Sequence, residues 1–235
     1  MNLVLLLPED LVAPERARLT GRRLAHVREV HRATVGEDLA VGLLGGKMGR
    51  GQVLRLDDEA LELALALDLP PPPKLPLTLL IALPRPKVLN RVVAAAASLG
   101  AARIVLLNAW KVEKAYWASP RMQLENLREQ LILGLEQAKD TMLPDLRLAR
   151  LFRPFVEDEL PGLLAGGTGL MAHPGTGEAA PKVLVAPVTL AIGPEGGWVD
   201  AEVQSLLKVG LQPMDLGPRI LRTETALAAL VGKLF

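Results

Sequence analysis

The chain has 235 residues, which suits two domains of ordinary size, and half of them are hydrophobic, so a substantial apolar core can form. It contains no cysteine, which excludes disulfides, zinc–thiolate sites, iron–sulfur clusters and thiol nucleophiles, and its three histidines are too scattered in sequence to predict a metal site. The net charge is +1 at pH 7, so the overall charge does not indicate nucleic-acid binding.

No segment has the length and apolarity of a membrane span. The longest apolar stretches, such as LTLLIAL at 77–83, are far short of the roughly 20 residues that a spanning helix needs. The first ten residues, MNLVLLLPED, lack the basic start and the long apolar run of a secretory signal. We therefore expect a cytoplasmic protein.

Positive charge is concentrated between residues 16 and 32, in the sequence RARLTGRRLAHVREVHR. This segment holds six arginines and a single acid, Glu29. Such a patch can neutralise several RNA phosphates, and it can equally be the solvated face of a helix. The candidate RNA-binding residues are Arg16, Arg18, Arg22, Arg23, Arg28 and Arg32.

The region between 35 and 67 has the pattern of short strands separated by turns. Hydrophobic residues alternate at Leu61, Leu63, Leu65 and Leu67, as in a half-buried strand, which predicts a small β-barrel. The sequence GGKMGRG (45–51) lacks the Lys-Ser/Thr of a phosphate-binding loop, so we interpret it as a hairpin turn.

The proline run LPPPPK (69–74) is the predicted domain boundary, because consecutive prolines cannot continue a helix or a central strand. We assign 1–69 to an N-terminal domain, 70–74 to a linker and 75–235 to a C-terminal domain. Beyond the prolines the pattern predicts strands at 77–83, 103–107, 169–173 and 187–193. Predicted helices separate them, one over 87–100 that ends at Gly100 and one that begins at Ser119. Continuously apolar strands that alternate with helices favour a mostly parallel α/β sheet.

Two glycine-rich loops follow the last predicted strands. The first, 193–199, lies between a strand at 188–192 and a helix at 200–209 whose N-cap we predict to be Asp200. The second follows a strand that ends at Leu216. In parallel sheets the carboxyl ends of strands form one rim, so the two loops are predicted to be walls of one pocket, although each alone could be an ordinary tight turn. Neither loop has the pattern of a dinucleotide or triphosphate site, and an adenine ring read by backbone groups fits better.

The sequences IGPEGGWVDAEV (192–203) and LGPRILRTETAL (216–227) resemble the closing motifs of the RsmE family, the 16S ribosomal RNA uracil-N3 methyltransferases of the SPOUT superfamily. Weaker similarity to that family extends over HVREVHRATVGEDL (26–39), SLGAARIVLL (98–107), EQAKDTMLPDL (136–146) and AHPG (172–175). The resemblance therefore covers most of the chain, and its specific part is the final pair of motifs.

The resemblance implies an α/β fold with a PUA-like N-terminal β-barrel and a C-terminal SPOUT domain whose chain forms a trefoil knot. It also implies that the protein binds S-adenosyl-L-methionine (SAM), forms a homodimer and acts on ribosomal RNA or the 30S subunit. The implied cofactor-binding residues are Met171, Ala172, His173, Ile192, Gly193, Pro194, Glu195, Gly196, Gly197, Leu216, Gly217, Pro218, Ile220, Leu221, Arg222 and Thr225.

Methylation at uracil N3 requires loss of the N3 proton and stabilisation of negative charge on the base, and it needs no cysteine. Arg222 is the candidate for holding a uracil oxygen or a flanking phosphate. Glu224 is the candidate for orienting that arginine or for acting as the base, and both residues could instead serve only the start of a helix.

Three positions depart from the family pattern, namely Ala95, Ser98 and Asp140. They leave open a related methyltransferase with another target nucleotide. A second alternative is a non-catalytic RNA-binding or ribosome-assembly factor. A nucleotide hydrolase is a third, although the P-loop residues are missing.

Overall fold

The computed structural model describes residues 2–175, 177 and 187–235, and the chain divides into two compact units. The first unit consists of Met1–Pro73 and Ile132–Leu143, and the second of Lys74–Leu131 and Pro144–Phe235. The break after Pro73 coincides with the proline run. The sequence did not predict that 132–143 would belong to the first unit.

The first unit is built on a six-stranded sheet in the order β1-β4-β5-β6-β3-β2. Its strands are β1 (Val4–Leu6), β2 (Leu11–Ala13), β3 (Arg16–Leu19), β4 (Asp38–Leu43), β5 (Met48–Leu56) and β6 (Leu61–Leu69). A 3₁₀ turn covers Pro8–Asp10, and helix α1 (Gly21–His26) continues into a π-helical turn at Val27–His31. The predicted alternation along β6 is confirmed, because Leu61, Leu63 and Leu65 point into the apolar core of this unit.

The glycine run at 45–51 is only partly the predicted turn. Gly45 has a φ of +75° in the turn between β4 and β5, but Gly49 and Gly51 are part of β5. A Cβ atom on Gly49 would collide with the carbonyl oxygen of Ala66 on the neighbouring strand. Glycine is therefore needed in β5 for close approach of two backbones.

The second unit is a parallel sheet in the order β12-β10-β11-β7-β8-β9, in which every strand pairs in parallel with its neighbours. Its strands are β7 (Leu75–Ala82), β8 (Ala101–Leu107), β9 (Asp145–Ala149), β10 (Thr168–Ala172), β11 (Val188–Ile192) and β12 (Leu211–Met214). The remaining helices are α2 (Pro86–Ser98), α3 (Lys114–Trp117), α4 (Leu124–Ala138), α5 (Phe152–Pro154), α6 (Leu160–Leu164), α7 (Asp200–Lys208) and α8 (Thr223–Leu234). A 3₁₀ turn covers Pro120–Met122, and a π-helical turn at Phe155–Glu159 joins α5 to α6. The predicted parallel α/β architecture is confirmed.

The end of α4 and the residues after it belong to the first unit because their apolar side chains pack there. Ile132 and Leu135 form a cluster with Leu3 and Leu5, and the backbone N–H of Leu3 donates to the carbonyl of Glu136 at 2.9 Å. A sequence pattern shows that a helix has an apolar face but not which unit that face meets.

Several element ends differ from the predictions by a few residues. Ser119 is an N-cap followed by Pro120, as predicted, but it caps the 3₁₀ turn, where its hydroxyl accepts the N–H of Arg121 at 3.3 Å, and α4 begins only at Leu124. The predicted N-cap Asp200 is instead the first helical residue, and Val199 is the N-cap. The last strand ends at Met214 rather than at Leu216. The predicted left-handed glycine after α2 is confirmed at Gly100, where φ is +78°.

Across the described residues, no helix combines the length and apolarity that a membrane span requires.

Candidate active site

The two glycine-rich loops of the second unit lie beside one cavity, as predicted. They follow β11 and β12, which are separated in the sheet by β10 alone, and all three strands run in the same direction. The cavity has a volume of about 690 Å³. The lining residues are Arg85, Val88, Arg91, Ala172, His173, Pro174, Ile192, Gly193, Pro194, Glu195, Gly196, Gly197, Trp198, Ile220, Leu221, Arg222, Thr223, Glu224 and Ala226.

Most of the residues proposed from the sequence line this cavity, but five do not. Met171 is fully buried in β10 and is not part of the cavity lining. Leu216, Gly217 and Pro218 form the first part of the loop after β12, and Thr225 is exposed on α8. The second loop therefore contributes to the cavity lining only through its later residues, from Ile220 onward.

Arg85, Val88 and Arg91 line the cavity although the sequence did not indicate them. They belong to the start of α2 and the residue before it, immediately after β7. Because β7 pairs with β11, its carboxyl end meets the same edge of the sheet. Only the strand order could have identified these residues, since about 110 residues separate Arg85 from Glu195.

Polar contacts hold the loop after β11 in one conformation. The Oε1 atom of Glu195 accepts the backbone N–H of Arg85 at 3.0 Å, and the Lys111 ammonium donates to the carbonyl of Gly196 at 2.6 Å. Gly197 has a φ of +72°, and its N–H donates to the carbonyl of Pro194 at 2.7 Å, closing a tight turn. These contacts fix the loop before any ligand binds.

The wall behind this loop is the indole of Trp198, which is buried. A Cβ atom on Gly193 would lie 3.1 Å from its Nε1 atom, so a larger residue at 193 would displace the ring. The glycine therefore permits close packing of loop against side chain, and the indole gives the cavity an apolar wall.

Glu202, on the first turn of α7, joins this loop to the loop after β8. Its two carboxylate oxygens accept the backbone N–H of Trp110 at 2.7 Å and that of Val199 at 3.0 Å, and the residue is only 6% exposed. The bond to Val199 is the half of a capping box that a Glu at the third helical position provides. Both bonds are charge-assisted, which makes Glu202 a strong tie between two loops.

Asp215 holds the loop after β12 by accepting backbone N–H groups, as Glu202 does for the loop after β11. Its carboxylate accepts the N–H of Gly217 at 2.8 Å and that of Gly175 at 2.8 Å. These bonds to the charged form, the bond from Gly217 above all, hold the pKa of Asp215 below its usual value. Gly217 has a φ of +104°, so a side chain there would strain the turn.

The two candidate catalytic residues lie at the start of α8, on the cavity. Arg222 is the N-cap residue and is exposed. Glu224 is in the first helical turn, where a negative charge is favourable, and its Oε1 atom accepts from Arg91 Nη2 at 3.2 Å. The structure thus pairs Glu224 with Arg91, whereas the predicted arginine partner was Arg222.

In the first unit, two of the six candidate RNA-binding arginines make contacts that serve the fold. Arg23 forms a two-pronged ion pair with the buried carboxylate of Asp10 and donates to the carbonyl of Leu5 at 3.1 Å. Arg22 pairs with Glu136 at 3.3 Å. The local charge of the segment is therefore partly neutralised by acids that are distant in sequence.

The other four arginines of the segment are all exposed. Arg28 pairs with the exposed Asp58 at 2.7 Å, and Arg32 ends the π-helical turn with a φ of +53°. Arg16 and Arg18 are exposed on the outer face of β3, since the residues that alternate with them are buried.

A sequence model of the RNA methyltransferase domain matches residues 71–234. The chain is 29% identical over 97% of its length to Ribosomal RNA small subunit methyltransferase E of Treponema pallidum, 88% of which is covered. It is 30% identical over 92% of its length to the protein of the same name in Synechocystis sp., 73% of which is covered. A crystal structure of Ribosomal RNA small subunit methyltransferase E from Neisseria gonorrhoeae bound to S-adenosyl methionine superposes with a TM-score of 0.76 at 22% identity, covering 99% of this chain and 95% of that one.

Proposed function

The chain belongs to the RNA methyltransferase domain family, and from that premise we propose that it is a SAM-dependent methyltransferase that modifies N3 of a uridine in 16S ribosomal RNA. The observation that carries the proposal is the cavity enclosed by the loops after β11 and β12, which are the two motifs that define the resemblance. The proposal includes action on the small ribosomal subunit in the cytoplasm, as part of ribosomal RNA processing.

The cavity has the size and chemistry that SAM requires. A volume of about 690 Å³ lies within the usual range for small-molecule sites. Ile192, Trp198 and Leu221 provide apolar walls for an adenosine, and the backbone of 193–197 presents amide and carbonyl groups to its polar edge. Glu195 and Glu224 supply negative charge for a ligand that carries positive charge. When bound, SAM supplies a methyl group on a sulfonium centre.

The chain's own residues would prepare the uracil for that transfer. N3 becomes a nucleophile only as its proton is lost, and the negative charge then spreads to the two ring oxygens. Arg222, a permanent cation on the cavity wall, would hold one of these oxygens. The carboxylate of Glu224 is held by Arg91 at the positive end of α8 and is the candidate acceptor for the N3 proton.

We also propose the finer architecture that the resemblance implies. A PUA-like barrel in the first unit is supported by six strands that share one apolar core, and Arg16 and Arg18 would contact RNA from its outer face. A trefoil knot in the second unit is supported by the pairing of β12 with β10 and by the packing of α8 against α2. Stretching the chain by its two ends tests the knot, since a knotted chain extends to less than its full contour length.

A homodimer is the proposed assembly. Ile220, on the loop after β12, is 86% exposed although it is large and apolar, and a second copy of the chain would cover it. Light scattering after size exclusion tests this, with Ile220→Asp as the variant that should release monomers.

The decisive experiment for the activity is methyl transfer in vitro. Purified protein is incubated with isotope-labelled SAM and 30S subunits or naked 16S RNA, and the RNA is digested to nucleosides for mass spectrometry. We expect labelled 3-methyluridine from the small subunit and none from 50S subunits. Label at another nucleotide would replace the proposed target, and the absence of both label and SAM binding in calorimetry would refute the proposed function.

A further inference from the structure

The segment 110–117, which follows β8, gathers an unusual share of the chain's aromatic residues, and we name it the aromatic rim. The whole chain has three Trp, three Phe and one Tyr, and three of these seven lie here, as Trp110, Tyr116 and Trp117. Trp110 is 82% exposed. The flat face of an indole can stack on a planar ligand, and at Trp110 that face is open to solvent.

The aromatic rim is held firmly and is tied to the cavity. The backbone N–H of Trp110 donates to Glu202, and the N–H of Val112 donates to the carbonyl of Ala109 at 3.0 Å. The ammonium of Lys111 donates to Gly196, on the loop that lines the cavity. An exposed ring on a fixed backbone loses little freedom when a planar ligand stacks on it.

The two tryptophans of the aromatic rim differ in availability. The Nε1 atom of Trp117 donates to Asn108 Oδ1 at 2.9 Å, and the guanidinium of Arg150 lies 5.2 Å from the centre of its ring. Trp117 is therefore already engaged within the protein by a hydrogen bond and a cation–π contact. Trp110 is the ring that presents its surface to solvent.

The charges around Trp110 favour an anionic partner. Lys111 and Lys114 are exposed on either side of Glu113, and the carboxylate of Glu113 accepts the hydroxyl of Tyr116 at 2.9 Å. Aromatic residues interleaved with cations are the pattern by which proteins bind single-stranded nucleic acid, with bases on the rings and phosphates on the cations.

We propose that Trp110 is a stacking platform for an unpaired base of the RNA substrate, with Lys111 and Lys114 beside the flanking phosphates. This inference rests on the proposed function and specifies its substrate. N3 of uracil is occupied by base pairing in a duplex, so the target must be unpaired or extruded when it reaches the cavity. A platform fixed to the wall of the cavity would hold a neighbouring base out of the helical stack.

The test is a comparison of Trp110→Ala with Trp110→Phe, using a fluorescent single-stranded RNA from the small-subunit sequence as the probe. Loss of one stacked base is expected to weaken RNA binding by roughly tenfold in Trp110→Ala, while Trp110→Phe retains most of the affinity and both retain parental SAM affinity. Leu124→Ala is the matched control, because Leu124 is a large apolar residue of the second unit that is 64% exposed.

Three results would overturn the inference. One is parental RNA affinity in Trp110→Ala. Another is an equal loss in Leu124→Ala. The third is conversion of a dimer to monomers by Trp110→Ala, which would assign the ring to a protein interface instead.

The assay also separates this inference from the proposed function. A parent protein that methylates RNA, together with an unimpaired Trp110→Ala variant, refutes the stacking role alone. A parent protein that neither binds SAM nor methylates RNA refutes both.

Discussion

Replacement of Glu202 by alanine is the most informative single test of how the site is held together. The carboxylate accepts two backbone N–H groups, from Trp110 on the loop after β8 and from Val199 at the start of α7, and it is almost completely buried. Alanine removes both acceptors at once. The loop after β11, which lines the cavity, would then lose its tie to the loop after β8.

The magnitude follows from the number and kind of these bonds. A hydrogen bond to a charged group contributes about 1.5–3 kcal/mol, so two of them set an upper range of about 3–6 kcal/mol. The N–H of Val199 is half-buried and that of Trp110 lies in an exposed turn, so water can replace part of what is lost. We therefore expect Glu202→Ala to destabilise the second unit by about 2–3 kcal/mol. Glu202→Gln keeps one acceptor oxygen and should lose about half as much.

The assay is urea unfolding followed by tryptophan fluorescence, combined with hydrogen exchange at the amides of Trp110 and Val199. Glu125→Ala is the matched control, because Glu125 is an exposed glutamate in the first turn of α4 and shares only the interaction with the helix dipole. A destabilisation no larger than that of Glu125→Ala, with both amides still protected, would refute the reasoning.

Three further predictions concern the loops and the first unit. In Gly196→Val the new Cβ would lie 2.8 Å from Lys111 Cδ. Because that lysine side chain can move, we expect the variant to keep its native circular dichroism spectrum. The added side chain would still occupy part of the cavity, so we expect at least about a tenfold loss of SAM affinity in calorimetry. Asp215→Ala should weaken SAM binding at pH 7 more than Asp215→Asn, which keeps one acceptor oxygen. Since the folded pKa of this carboxylate is lowered, its contribution is complete above the ordinary value near 4 and is lost as pH falls through the folded pKa, so variant and parent should converge in acid. The double variant Arg16→Ala/Arg18→Ala should reduce the salt slope of RNA binding by roughly 1.5–2, one phosphate contact for each arginine.

Each of these has an outcome that contradicts it. Unchanged calorimetry for Gly196→Val would remove the loop from the cofactor site. A difference between Asp215→Ala and the parent protein that persists at the lowest pH at which both are folded would mean that the ionised carboxylate is not what matters. Equal salt slopes for the arginine variant and its parent would place RNA elsewhere on the protein. Arg23 is left out of that variant because its ion pair with Asp10 would confuse lost binding with lost stability.

Which segments form strands and which form helices could largely be predicted from the sequence. Alternating leucines at 61–65 predicted a strand with one buried face, and Gly100 predicted the end of a helix, because both signals are local. Element ends were less accurate. Val199 rather than Asp200 is the N-cap of α7, and the N–H of Val199 donates to the carboxylate of Glu202 in the first turn.

The partners of the charged residues could not be predicted from the sequence in the same way. Six arginines in 17 residues look like one basic patch, yet Arg23 is committed to Asp10 and Arg22 to Glu136, which is 114 positions away. A charge acts on whatever folding brings near it, and sequence distance carries little information about that neighbour.

By itself the sequence determined the parallel α/β architecture, the two glycine-rich loops and their position at one rim, because hydrophobic period and turn chemistry act over a few residues. Only the tertiary structure decided that Arg85 and Arg91 complete the cavity, that Glu224 faces Arg91, and that Trp110 stands exposed on a loop anchored by Glu202. Those outcomes depend on the order of strands in the sheet, which is set by which buried faces fit together across the whole unit and not by any single segment.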